Sequence, residues 1–179
     1  MTVIAAASWN GESFIGCDSA ATGDDLQIHY GIKLADFPFG WLGFCGSIRQ
    51  IQVLRPALHN VPAITNEDQE DLFVRSVEEK LINAGWAAKG NEVIGLPRCE
   101  DLELLILTHE GRIYCMQSDL SLIRCKGYGA IGSGELVALG SLHAHKANGS
   151  EPKTAVSSAI LASCDHIASC ARPYHVRPR

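Results

Sequence analysis

The stretch Thr2-Val3-Ile4-Ala5-Ala6-Ala7-Ser8-Trp9-Asn10-Gly11-Glu12-Ser13-Phe14-Ile15-Gly16-Cys17-Asp18 decides how the rest of the chain is read. Val3 to Ser8 is apolar and β-friendly, Asn10-Gly11 is the dipeptide of a type I′ hairpin, and Ser13 to Cys17 resumes the extended pattern. The chain therefore opens with a hairpin whose second strand ends at Asp18. A hydroxyl-bearing residue, Thr2, heads the first strand directly behind Met1. With Met1 removed, Thr2 would carry a hydroxyl and a free α-amine together. An alcohol is a weak nucleophile near neutral pH, and an amine titrating near pH ~8 can accept its proton, directly or through a water.

Outward from the hairpin, Thr22-Gly23-Asp24-Asp25 has turn chemistry, and Ile28 to Ala35 reads as a strand carrying Lys33. Thr2, Asp18 and Lys33 thus lie at strand ends that hairpin pairing can bring together. A lysine there lowers the proton affinity of hydroxyl and amine, and an aspartate beside it holds the charge in place. After Phe37-Pro38-Phe39-Gly40, a short strand Trp41 to Cys45 stops at Gly46-Ser47, where a helix with Ile48, Ile51 and Leu54 begins. A strand feeding a helix through Gly-Ser aims backbone N–H groups beyond its end, which suits an oxyanion.

The remainder repeats this order. Thr65-Asn66-Glu67-Asp68 caps a second helix with an apolar stripe of Leu72, Phe73, Val77, Leu81 and Ile82, its other side charged. Residues Ala87 to Asp101 read as a loop. Leu102 to His109 and Arg112 to Gln117 form a hairpin, and Ser121 to Tyr128 a further strand. The turn Gly129-Ala130-Ile131-Gly132-Ser133-Gly134-Glu135 opens a helix with Leu136, Leu139, Leu142 and His143 on its apolar side. Its glycine spacing is a poor match to a nucleotide loop, and no Lys/Thr follows. His143 and His145 diverge on a helix and read as surface residues. Thr154 caps a last helix with Val156, Ile160, Ser163, Cys164 and Ile167 inward, and Tyr174 to Val176 forms a final strand.

The order is strands, two helices, strands, two helices. Two antiparallel sheets stacked face to face, with a helix pair outside each, use it well: an α+β, four-layer αββα sandwich in a single domain, residues 1–179. With 179 residues, 46% of them hydrophobic, the core needs no staples. Seven cysteines at scattered positions (17, 45, 99, 115, 125, 164, 170) give no disulfide framework and no close pair for a metal, so they read as core fillers. The net charge is −5 with no Lys/Arg block, which argues against nucleic acid. No run is long enough to span a membrane and no signal peptide is evident, so the expected location is the cytoplasm.

Four pieces, in this order, resemble the proteasome β-subunit and HslV family of N-terminal-threonine peptidases, from Thr2 to about Val176. They are Thr2 with Gly16-Cys17-Asp18-Ser19-Ala20-Ala21-Thr22; Lys33, one residue nearer the N-terminus than in most members; Gly43-Phe44-Cys45-Gly46; and Ile131-Gly132-Ser133-Gly134 before a helix. The resemblance implies the N-terminal-nucleophile (Ntn) hydrolase sandwich and peptide-bond hydrolysis through an acyl-enzyme on Thr2 after Met1 removal. It implies self-association into stacked rings, with an ATPase unfoldase ring as a candidate feeder and no cofactor. It makes Gly46 the oxyanion N–H and Ser133 an aid to proton transfer. The family's late aspartate falls on Asp165 or His166, with Ser169 beyond. Thr22 and Ser47 would pair with an extended substrate, and Ala21, Ile32 and Phe44 would line the pocket for the side chain before the cut. No metal site is read from side chains, although carbonyls near Ser163 to Ser169 could hold an ion by the same likeness. A catalytically silent ring subunit and a small-molecule amidase are the rival readings.

Overall fold

The computed structural model describes residues 2–22, 27–29, 33–46, 48–83 and 102–179. The opening hairpin is β1 (Ile4–Trp9) and β2 (Glu12–Asp18), with Ile4 opposite Cys17 and Trp9 opposite Glu12. Asn10 and Gly11 both have positive φ, 54° and 80°, as a type I′ turn demands. Short strands β3 (Ala20–Thr22) and β4 (Gln27–His29) pair with each other. Then come β5 (Leu34–Phe37), β6 (Gly40–Cys45), α1 (Ile48–Ala57) and α2 (Glu70–Asn83). The second half supplies β7 (Glu103–Thr108), β8 (Ile113–Met116), β9 (Leu122–Cys125), β10 (Tyr128–Ile131), α3 (Glu135–Ala147), α4 (Pro152–His166) and β11 (Tyr174–Pro178).

Two larger antiparallel sheets result, ordered β10-β1-β2-β11 and β5-β6-β7-β8-β9. Strand alternation assigns each face of β1 to a different layer. Ile4 and Ala6 point into the seam between the sheets with Ile15, Cys17, Leu105, Leu107 and Ile131. Val3, Ala5 and Ala7 point outward against Ala138, Leu142, Val156 and Ile160 of α3 and α4. On the far side Leu42, Phe44, Leu104 and Ile106 meet Leu54, Phe73 and Val77 of α1 and α2. The molecule is thus an αββα sandwich, each sheet covered on both faces as its doubly apolar strands require. Burying one large side chain contributes about 1.5–3 kcal/mol, so no face of β1 or β7 could be left to solvent cheaply.

Several expectations need correction. The strand read over Ile28 to Ala35 is two, β4 and β5, in different sheets, and Lys33 lies just before β5. The strand read over Ser121 to Tyr128 also divides, because Gly127, at φ 89°, turns the chain from β9 in one sheet to β10 in the other. Gly129 to Ile131 is therefore strand, not turn. Leu72 is exposed because the inward residues of α2 are Phe73 and Val77, four apart. Leu136 is exposed likewise, since α3 turns Ala138 and Leu142 inward. Helix α4 starts at Pro152, two residues before Thr154, with Glu151 at its N-cap. The turn at Gly23-Asp24-Asp25 and the loop Ala87 to Asp101 fall outside the described residues. No described helix is long and apolar enough to cross a membrane.

Candidate active site

One end of the sandwich gathers the polar side chains that the apolar layers exclude. Thr2 precedes β1, Asp18 ends β2 and Lys33 precedes β5, and all three are buried, at 3%, 0% and 5% exposure. The Thr2 hydroxyl donates to Asp18 Oδ1 at 2.5 Å and accepts a hydrogen bond from Lys33 Nζ. Lys33 Nζ also donates to Asp18 Oδ1, at 2.7 Å. The backbone bond from Phe44 N to Lys33 O (3.1 Å) ties this lysine to β6.

Asp18 is the hub. Its Oδ1 also accepts from Val3 N at 3.0 Å, and Oδ2 accepts from Ala20 N at 3.0 Å and Ala171 N at 3.2 Å. A fully buried carboxylate is tolerated only when paired and hydrogen-bonded, and here one ammonium, one hydroxyl and three amides meet it. Those amides come from the residue before β1, the first residue of β3 and the approach to β11, so the carboxylate also fixes where three segments converge.

The segment after β10 holds Thr2 from the other side. Its carbonyl accepts from Gly134 N at 3.2 Å and from Ser133 Oγ at 3.2 Å. Ser133 Oγ lies 2.8 Å from Ser169 Oγ and 3.9 Å from Cys170 Sγ. Gly132 stands at φ 90°, and a Cβ there would come within 2.5 Å of Thr2 O, so both its backbone angle and its space demand glycine. Glu103 Oε2 accepts the Gly132 N–H at 3.0 Å.

The structure brings together Thr2, Asp18, Lys33, Ser133 and Ser169 from the sequence reading. Asp165 stands apart: its carboxylate is 55% exposed and paired at 2.8 Å with Arg172, because the last turn of α4 points it to solvent. His166 is exposed too, so neither occupies a buried aspartate position. Gly46 follows β6 at φ 143°. Ala21 is half-buried within the β3–β4 pair, and Thr22 ends β3. Phe44 is 1% exposed and packs with Phe37 in the helix-side core, so its ring is core and not the wall of an open pocket. Ile32 and Ser47 lie outside the described residues.

Sequence reasoning missed Val3 N, Ala20 N and Ala171 N as the support of Asp18, and these carry no side-chain signal. It also missed Glu103, whose signal was a lone charge inside Leu102-Glu103-Leu104-Leu105-Ile106-Leu107.

Chemically, Thr2 Oγ1 sits between a carboxylate that takes its proton's hydrogen bond and an ammonium that donates to it, an arrangement able to stabilise negative charge on that oxygen. Cysteines nearby are poor rivals. Burial pushes the Cys17 thiol up to about 11, and burial followed by Glu103 pushes Cys45 up to about 12. Burial, then Asp18, raises Cys170 as well. All three are therefore thiols at neutral pH, and the thiolate is the nucleophile. Among the described residues no cluster of three His, Cys, Asp or Glu side chains could hold a metal.

No protein-family sequence model matches the chain, and no curated protein matches it. Solved structures do match in shape. Thiobacillus denitrificans BPH in complex with epoxomicin has a TM-score of 0.82 at 16% identity, covering 99% of this chain and 98% of that one. A second structure of Thiobacillus denitrificans BPH has a TM-score of 0.81 at 13% identity, covering 99% of this chain and 97% of that one. Eukaryotic HslV from Trypanosoma brucei has a TM-score of 0.70 at 16% identity, covering 99% and 98%. At such identities the likeness is one of fold, and it extends over the whole described sandwich.

Proposed function

We propose that the chain is a threonine peptidase of the proteasome and HslV type, which hydrolyses peptide bonds through an acyl-enzyme on Thr2. The observation that carries this reading is the buried contact of Thr2 Oγ1 with both Lys33 Nζ and Asp18 at the second residue of the chain. In the sequence Thr2 follows Met1, so its nitrogen is an amide until Met1 is removed. Removal turns that nitrogen into an amine on the same residue as the hydroxyl.

In the proposed reaction Thr2 Oγ1 attacks the substrate carbonyl while its proton passes to the freed α-amine. Lys33 holds its charge against Oγ1, lowering the cost of the developing alkoxide, and Asp18 holds Lys33. The tetrahedral oxyanion takes a hydrogen bond from Gly46 N–H. Collapse breaks the C–N bond, and the proton held by the amine goes to the departing nitrogen, leaving an ester on Thr2. Water then attacks the ester, with the amine again accepting a proton and Oγ1 recovering it. Ser133 and Ser169, 2.8 Å apart, would relay protons between the amine and solvent. The backbone at Thr22 and Ser47 would pair with the extended substrate, and Ala21 and Ile32 would meet its side chain before the cut.

Self-association into stacked rings enclosing these sites belongs to the same proposal, as do an unfolded-protein substrate and a feeding ATPase ring. The similar fold of HslV and of BPH supports it. The test is digestion of an unfolded protein by the chain with Thr2 as its first residue. New internal peptides that disappear with Thr2→Ala are expected. Intact substrate after prolonged incubation refutes the peptidase and favours a silent subunit, and turnover of small amides alone favours an amidase.

A further inference from the structure

Glu103 carries the one charge in the otherwise apolar run from Leu102 to Leu107, with Leu102, Leu104 and Leu105 all buried around it. It opens β7 directly opposite Cys45, the residue before Gly46. Its Oε2 reaches across to the other sheet, where it accepts the Gly132 N–H at 3.0 Å. Gly132 is pressed against the Thr2 carbonyl, and Gly134 N and Ser133 Oγ then grip that same oxygen, each at 3.2 Å.

We propose that Glu103 is a positioning residue for the reaction at Thr2: its carboxylate links the Gly132–Gly134 segment that seats Thr2 to the end of β6 that carries Gly46. The role rests on the peptidase reading above. The nucleophile and the oxyanion donor stand on different sheets, so their spacing depends on contacts that cross the seam at this end. A backbone N–H bonded to a carboxylate is about twice as strong as a neutral pair, which suits a link that must hold under load. Two neighbours lie close enough to Glu103 to feel its charge. After burial, its negative charge is the next cause that raises the Cys45 thiol, and the same order of causes raises the Glu135 carboxyl.

The experiment uses the full chain with Thr2 as its first residue and compares wild type, Glu103→Ala and Glu103→Gln. Two readings are taken: hydrolysis of a fluorogenic peptide, split into kcat and KM, and hydrogen exchange at the Gly132 amide. For Glu103→Ala the Gly132 amide should exchange faster, and kcat should fall about 10- to 100-fold with KM within a few-fold, as for misplacement of reacting groups by up to about 1 Å. Glu103→Gln keeps an oxygen that can accept the same bond, so it should recover most of the protection and most of kcat. Unchanged kcat in Glu103→Ala, or a rise in KM alone, overturns the role. Glu103→Gln that folds but behaves no better than Glu103→Ala overturns it too. If wild type hydrolyses no peptide, the peptidase reading falls and the role falls with it, whereas turnover that is indifferent to residue 103 removes only the role.

Discussion

Lys33→Met tests structure and chemistry together, because it keeps the aliphatic stem and removes the ammonium. Asp18 is fully buried and Lys33 is 5% exposed, so the variant leaves a carboxylate in the interior without its counter-charge. Removing one partner of a buried pair costs about 3–5 kcal/mol. Asp18 keeps three backbone donors and the Thr2 hydroxyl, which places the cost at the lower end, about 3 kcal/mol. For a chain of this size each kcal/mol shifts the midpoint by about 2–4 °C, so the melting temperature should fall by about 6–12 °C. Peptide hydrolysis should fall at least about 100-fold, because an interaction aimed at developing charge is lost. Calorimetry at neutral pH and matched protein concentration measures the first, and a fluorogenic peptide the second. The double variant Asp18→Asn/Lys33→Met should cost less than the sum of the singles, with a coupling of at least about 1 kcal/mol. A midpoint within about 2 °C of wild type, or turnover within a few-fold, refutes the reasoning for that half.

Gly132→Ala should abolish peptide hydrolysis and lower the melting temperature, since its Cβ would sit 2.5 Å from Thr2 O at a φ of 90°; wild-type behaviour in both assays contradicts the close seating of Thr2. Asp165→Ala should change stability by less than about 1 kcal/mol and leave hydrolysis intact, because its pair with Arg172 is solvent-exposed; a large loss of turnover would return Asp165 to the site. In native protein at pH ~8, peptide-level mass spectrometry should find Cys45 and Cys17 unalkylated by iodoacetamide and alkylated in denaturant, because few thiolates form at these positions. Their raised pKa values mean that the folded state binds more protons than the unfolded one above pH 9, so stability should fall as pH rises from about 9 to about 12. Urea midpoints that rise over that range would contradict the burial of these thiols.

The opening hairpin was legible because Asn10-Gly11 demands a turn that few other dipeptides make, and the paired helices followed from apolar spacing. Lys33 could be placed near Thr2 and Asp18, yet its strand was read too long. Gln27 to Phe37 holds a single breaker, Gly31, and an isolated glycine in a strand pattern does not reveal that its two ends serve different sheets. The same blindness joined β9 to β10, where a single Gly127 with positive φ redirects the chain. Helix faces failed at Leu72 and Leu136 because an apolar residue beside an inward stripe looks like part of it. Within the candidate site, Thr2, Asp18 and Lys33 stand out in the sequence by side-chain type, whereas the amides of Val3, Ala20 and Ala171 do not, since any residue can supply an N–H. Asp165 is a question of one residue's spacing, which sequence cannot resolve near the end of a helix.

Whether Thr2 Oγ1 acts as a nucleophile once its own amine is free can be read with a peptide epoxyketone, since such a warhead needs a hydroxyl and an amine on one residue. Peptide mapping by mass spectrometry should find the adduct on Thr2 in chains that have lost Met1, and on no residue in chains that keep Met1 or carry Thr2→Ala. Unmodified Thr2 in Met1-free chains after saturating exposure, or an adduct carried by another side chain, would contradict the account.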